Sequence, residues 1–284
     1  DPGVGKTTLV RSLPASKTLY VDIEGGSDVL AGWNPSVAVL SEDLQTTHID
    51  PDPAKCTISL RDLVAFLAVI TPADFRFVVF DSVTNLEKRM LDVMKSTRNK
   101  EFSELREKGD LGEKMQEYLR KFTDLRWRGV NAVILAHTTR SMRGEEGIAF
   151  PLLQDKSSRT LLGLVSVMGY MVAQPDGSRT VQWQKTAGVH AKSRYDCLQM
   201  IESVGREAAN KDYLLEVFRR IHLERSVKCQ GGTDPDGDDS KQAPVATPPA
   251  APPPVADQSV PPPVADQSAP EAEKAEVKKE KVKK

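Results

Sequence analysis

The stretch "DPGVGKTT" at residues 1–8 constrains this chain more than any other part of it. Gly5, Lys6 and Thr7 fill the last three places of the pattern G-x-x-x-x-G-K-[ST], and Asp1 to Val4 fill its four variable places. Glycines in such a turn let successive backbone N–H groups point inward and form a concave seat for phosphate oxygens. A helix expected from about Thr7 to Leu13 turns its N-terminus toward the same anion. On this reading Gly3, Val4, Gly5, Lys6, Thr7 and Thr8 line a nucleotide site. Lys6 reaches the β- and γ-phosphates, the Thr7 hydroxyl ligates Mg²⁺, and Thr8 bonds the α-phosphate. The sequence begins inside the pattern, so its first glycine and an apolar strand feeding the loop are expected upstream of Asp1. The plain alternative is a glycine-rich turn before a helix, with a chance lysine.

Phosphoryl transfer needs an acidic group near the metal, and "FVVFD" supplies Asp81 at the end of an apolar run. Ligands collect outside the C-terminal ends of parallel strands, which is where this carboxylate is expected. Asp81 is read as an Mg²⁺ ligand, through water; its other reading is a helix N-cap, since Asp81 and Ser82 precede a helix. Hydrolysis also needs a group that orients or deprotonates water. "LYVDIEGG" places Glu24 just past a strand, beside two glycines that permit close approach; Asp22 is the rival carboxylate.

The rest of residues 1–225 alternates strand and helix. "TLYVDIE", "FRFVVFDS" and "GVNAVILAHTT" are short apolar runs suited to strands buried on both faces. "SLRDLVAFLAVI" has Ser59 as an N-cap and stops before Pro72. Leu86, Met90 and Val93 share one helical face; Met115, Leu119, Phe122 and Leu125 share another. A helix near "SRTLLGLVSVM", a hairpin turning at Asp176-Gly177, and an amphipathic helix marked by Leu214, Phe218 and Ile221 complete the run. This predicts an α/β fold: a mostly parallel, twisted sheet with helices on both faces. From residue 226 the composition turns to Pro, Ala and small polar residues, and "PPPVADQS" occurs at 252–259 and again at 261–268. Such a segment buries too little apolar area to offset chain entropy. Residues 226–284 are read as a disordered, partly polyproline-like tail with a basic end, "KKEKVKK", which is a solvated terminus or else a weak tether for nucleic acid or a partner.

The order of these parts resembles the RecA-like P-loop ATPase core: a phosphate loop, a strand ending in "DIEGG", then "VVFDS", then a strand ending in a polar sensor, "VILAHTT". The resemblance implies that Glu24 is the catalytic glutamate and that His137 senses the γ-phosphate. "KTAGVHAKSRY" holds Lys192-Ser193-Arg194, similar to the Lys-x-Arg element of the branch that includes hexameric helicases and circadian-clock ATPases. There the pair reaches the γ-phosphate of a neighbouring subunit, and on a strand cations at i and i+2 point the same way. Overall the chain most resembles phage-encoded RecA-like ATPases of the single-strand-annealing type and phage AAA-family nucleotide-binding proteins. That implies Mg²⁺-dependent ATP hydrolysis, a homo-oligomeric ring or filament, single-stranded DNA as partner, and a role in phage recombination or annealing. A nucleotide-switched assembly protein and a helicase-like motor are the alternatives.

The loop after the sensor, "TTRSMRGEEGIAFPLLQDKSSRT", is where recombinases of this kind contact DNA. Arg140, Arg143, Lys156 and Arg159 would meet phosphates and Phe150 would stack on a base, although Glu145, Glu146 and Asp155 dilute the charge. The formal net charge of −1 gives no whole-molecule pull toward nucleic acid. Cys56, Cys197 and Cys229 lack metal-ligand spacing and form no even-numbered framework, which fits a reducing cytoplasm. No apolar run is long enough to span a membrane.

Overall fold

The computed structural model describes residues 4–26, 30–97, 104–141, 148–205 and 212–230. Strands β1 (Thr18–Asp22), β2 (Ser36–Val39), β3 (Phe77–Asp81) and β4 (Asn131–Ile134) form a parallel sheet in the order β2-β1-β3-β4. β1 and β3 are buried at every residue, as continuous apolar runs in the middle of a covered sheet must be. Their register sets Asp22 opposite Asp81, so both strands end level at one edge.

Alternation along β1 and β3 divides the core in two. Leu19, Val21, Val78 and Phe80 face helices α2 (Leu60–Leu67), α3 (Val83–Thr97) and α4 (Glu104–Thr123), with Phe80 stacked on Phe122 at 4.1 Å. Tyr20, Phe77 and Val79 face the other way, toward Val10 of α1 (Lys6–Val10) and Leu214 and Val217 of α6 (Tyr213–Gln230). Ser59 caps α2 as expected, its side chain accepting from the Asp62 amide. α1 is shorter than the sequence suggested, closing in turns after Val10. The Ser12 hydroxyl beyond it accepts from the Leu214 amide at 3.0 Å, which ties α1 to α6 across 202 residues of sequence.

After β4 the chain forms the hairpin β5 (Thr138–Ser141) and β6 (Ile148–Pro151), then helix α5 (Asp155–Leu164). Strands β7 (Val167–Met168), β8 (Tyr170–Ala173), β9 (Arg179–Gln182), β10 (Lys192–Ser193) and β11 (Ile201–Gly205) follow. β11, β9 and β8 make a second, antiparallel sheet. β8 and β9 form the predicted hairpin, with Gly177 at φ +80° supplying the left-handed turn residue. Among the described residues no strand pairs with the outer edge of β4. A largely apolar cavity of about 660 Å³ runs beside it, lined by Ala132 and Ile134 on one side, Met171 and Phe218 on the other, and Val4 and Lys6 at the loop.

α6 continues through Gln230, so residues 226–230 are helical and the tail expected from 226 starts later; residues 231–284 lie outside the described residues. Among the described residues no helix is long and apolar enough to cross a membrane. α6 is held to β11 by a polar lock. Glu202 is buried and takes two bonds from Arg220, both at 2.9 Å, and one from the Tyr213 hydroxyl, which itself accepts from the Trp183 indole N–H. Burial raises the Glu202 carboxyl, but Arg220, the Gln199 amide and Tyr213 together hold it below the ordinary carboxylate range. A lowered folded-state pKa means that this carboxylate stabilises the fold at neutral pH, and that the contribution fades as pH falls through the acid range. Replacing Arg220 by Ala leaves a buried carboxylate unpaired, and because Arg220 is partly exposed the loss expected is about 2–3 kcal/mol, or a Tm drop of about 5–10 °C. Thermal unfolding at neutral pH measures it; an unchanged Tm would show the lock to be idle.

Candidate functional site

The site forms where β1, β3 and β4 end together beside the phosphate loop. Gly5 adopts φ +88°, which only glycine takes without strain, and a Cβ there would lie 2.5 Å from Nε of Arg179. Arg179, on β9, donates from Nε to the Val4 carbonyl at 2.9 Å and so braces the loop from the second sheet. Lys6 is half-buried near Asp81 and Glu24; burial lowers its pKa and the two carboxylates oppose that. Thr8 is half-buried on α1, Val4 lines the cavity, and Gly3 lies outside the described residues.

Thr7 and Asp81 come together as the sequence reading required. The Thr7 hydroxyl donates to Asp81 Oδ2 at 2.6 Å, and the buried Tyr20 hydroxyl donates to the same oxygen at 2.7 Å. Burial raises the Asp81 carboxyl, and the two hydroxyls pull it back. Burial and the neighbouring Asp81 push the Tyr20 hydroxyl far up, so it remains a donor. The donor set suits Mg²⁺, a hard ion that takes one or two carboxylates and completes its shell with water and substrate phosphates. Thr7 and Asp81 would hold it. Among the described residues no group of three acidic, His or Cys side chains offers a rival all-protein site.

Glu24 leaves the end of β1 and turns into the same space. Its Oε1 accepts from the Ser82 hydroxyl and meets His137 Nε2 at 2.7 Å. Burial raises its pKa, but Ser82, His137 and Lys6 more than offset this, so the carboxylate is held ionised below its usual range. Asp22, the rival acid, has a different task. Its Oδ1 accepts from the amides of Glu24, Gly25 and Gly26 at 3.1, 2.8 and 3.2 Å, which folds the turn that presents Glu24.

These residues, the loop, the parallel sheet and the acid pair together fit one family. A family model described as an AAA domain matches residues 1–195 of the 284. The chain belongs to the AAA-domain family. This AAA domain has the RecA-like P-loop fold: a parallel sheet flanked by helices, with its nucleotide loop at the sheet's edge. No curated protein matches the chain.

The Lys192–Arg194 element of the AAA domain does not have the expected geometry. β10 ends at Ser193, so the period-two argument does not carry through to Arg194. Lys192 donates to the Leu162 carbonyl at 2.6 Å, at the end of α5, whereas Arg194 is exposed, close enough for its charge to lower the Lys192 pKa beside the effect of burial. The expected DNA residues also divide. Arg140 and Arg159 are exposed, Lys156 pairs with Glu113 at 3.2 Å, Phe150 rests on His190 with ring centres 4.8 Å apart, and Arg143 lies outside the described residues.

Sequence reasoning missed Tyr20 and Arg179. A tyrosine inside an otherwise apolar strand was the available signal, since a buried phenol seeks a partner. Arg179 left none, because its contact with the loop spans 175 residues.

Proposed function

We propose that this AAA domain is a Mg²⁺-dependent ATPase whose turnover is completed by a neighbouring copy. The convergence of Thr7, Asp81, Glu24 and His137 on one volume beside Gly5 and Lys6 carries the reading. In the proposed cycle the loop amides and Lys6 hold the phosphates. Thr7 and Asp81 would hold Mg²⁺, which would supply charge neutralisation to the phosphates. Glu24, kept ionised, orients the attacking water and takes its proton, while His137 keeps that carboxylate aimed. Arg194, exposed, serves a γ-phosphate across a subunit boundary.

The test is nucleotide affinity. ATP is expected to bind in the presence of Mg²⁺, at least tenfold more weakly in EDTA, and at least a hundredfold more weakly to Lys6→Ala. Equal affinity of wild type and Lys6→Ala, or none in wild type, would remove the reading.

The process we propose for this ATPase is annealing or recombination of single-stranded DNA, with the β5–β6 hairpin and α5 as the contact. The exposed guanidiniums of Arg140 and Arg159 favour that surface. Binding should then fall with salt and depend on ATP. ATP-insensitive or absent DNA binding would favour a nucleotide-switched assembly role instead, and strand separation driven by ATP would indicate a motor.

A further inference from the structure

His137 is the hinge between the site and the hairpin that follows it. Its side chain meets Glu24, its amide donates to Thr84 Oγ1 at 3.0 Å, and its carbonyl accepts from Leu152 at 2.7 Å. The last bond closes the hairpin's root. Three residues past Pro151, Gln154 donates its amide to Glu87 Oε2 at 2.8 Å, at the start of α5. Gln154 offers α5 no side-chain cap of its own. Thr84 and Glu87 are both on α3, the helix that leaves Asp81 and Ser82, and their spacing of three puts them on one face.

The hairpin's other connection is just as direct. Ala149 on β6 donates to Gly188 at 3.0 Å and accepts from His190 at 3.1 Å, with Phe150 against the His190 ring. Two residues after His190, Lys192 begins β10, and its amine is fixed to Leu162 in the last turn of α5. The segment bearing Lys192 and Arg194 is therefore held twice, once by β6 and once by α5. Both holders are anchored on α3, by Thr84 and by Glu87.

We infer that Thr84 and Glu87 are positioning residues: from α3 they fix the root of the β5–β6 hairpin and the start of α5, and through them the His137–Glu24 pair and the segment that carries Lys192 and Arg194. This rests on the ATPase reading for its consequence, which is that the chain's own nucleotide site and its reach toward a neighbour are set by one helix. Burial pushes the Glu87 carboxyl up, against the Ser157 hydroxyl and the Gln154 amide beside it. An amide oxygen can accept from the Gln154 amide as Oε2 does, so Gln should serve at this position.

Hydrogen exchange in the nucleotide-free protein tests the clamp apart from any ATPase activity. Thr84→Val and Glu87→Ala are expected to speed exchange at Leu152 and His190 by tenfold or more, with Ile23 and Leu135 at the sheet unchanged. Thr84→Ser and Glu87→Gln should stay within twofold of wild type. Unchanged exchange at Leu152 and His190, or a uniform rise that includes Ile23 and Leu135, would overturn the inference. With ATP, Thr84→Val should lower kcat about tenfold at unaltered nucleotide affinity, and Thr84→Ser should restore it. Parallel losses of kcat, affinity and Tm would make Thr84 structural only and would also overturn the inference. A wild type without ATP turnover refutes the ATPase reading, and the exchange result then decides the clamp by itself.

Discussion

Arg194→Ala is expected to slow ATP hydrolysis by about 10³-fold or more, the range found when a guanidinium that completes a phosphoryl-transfer site is removed. Nucleotide affinity should stay within a few-fold, because Arg194 is exposed and its proposed target is a neighbour's γ-phosphate. Lys192→Ala should act more through structure, since its amine is bonded to the Leu162 carbonyl. The decisive measurement mixes two dead proteins. Arg194→Ala and Glu24→Gln, combined, create some boundaries in which an intact Glu24 faces an intact Arg194. Activity returning on mixing establishes action between subunits. A mixture as inactive as its components, or an Arg194→Ala variant with wild-type turnover, refutes it.

Glu24→Gln is the second large effect. The amide preserves shape but takes no proton, and general-base assistance is worth about 10²–10⁴ in rate. ATP should still bind, with Lys6, Thr7 and the loop intact. Binding is expected to be equal or somewhat tighter, because a negative charge beside the phosphates is gone. The contacts with Ser82 and His137 can persist through the Gln carbonyl, so a fold change does not explain the loss. Full turnover in this variant would remove Glu24 from its role and reopen the question of the base. Asp22 would be a poor replacement, being buried and bound to the turn's three amides.

Burial on both faces made the centre of this molecule legible. β1, β3 and the strand before His137 read as apolar runs, and the turn chemistry of Asp176-Gly177 placed the β8–β9 hairpin. The four-residue β2 was hidden, because an edge strand with Ser36 and Val37 exposed carries no pattern. β5 and β6 were hidden for a similar reason: "TTRS" is polar, and its pairing with "IAFP" is decided by closure at His137 and Leu152. In the site, Thr7 meets Asp81 and Glu24 meets His137 beside Lys6. What stayed illegible is what crosses from one sheet to another, namely Arg179 on the loop and Lys192 on α5. The shift in composition read at 226 did not reveal that the helix carries on through Gln230.

The bond between Ser12 and Leu214 has a consequence for how the molecule is made. α1 leaves the ribosome about 200 residues before α6, the helix that meets it. Contacts this distant in sequence form late and slowly. A nascent chain therefore holds Val10 and Leu13 in an incomplete cluster, with Tyr20, Leu30 and Trp33 made long before Leu214 and Val217. The packing around α1 is therefore finished only once α6 has been made.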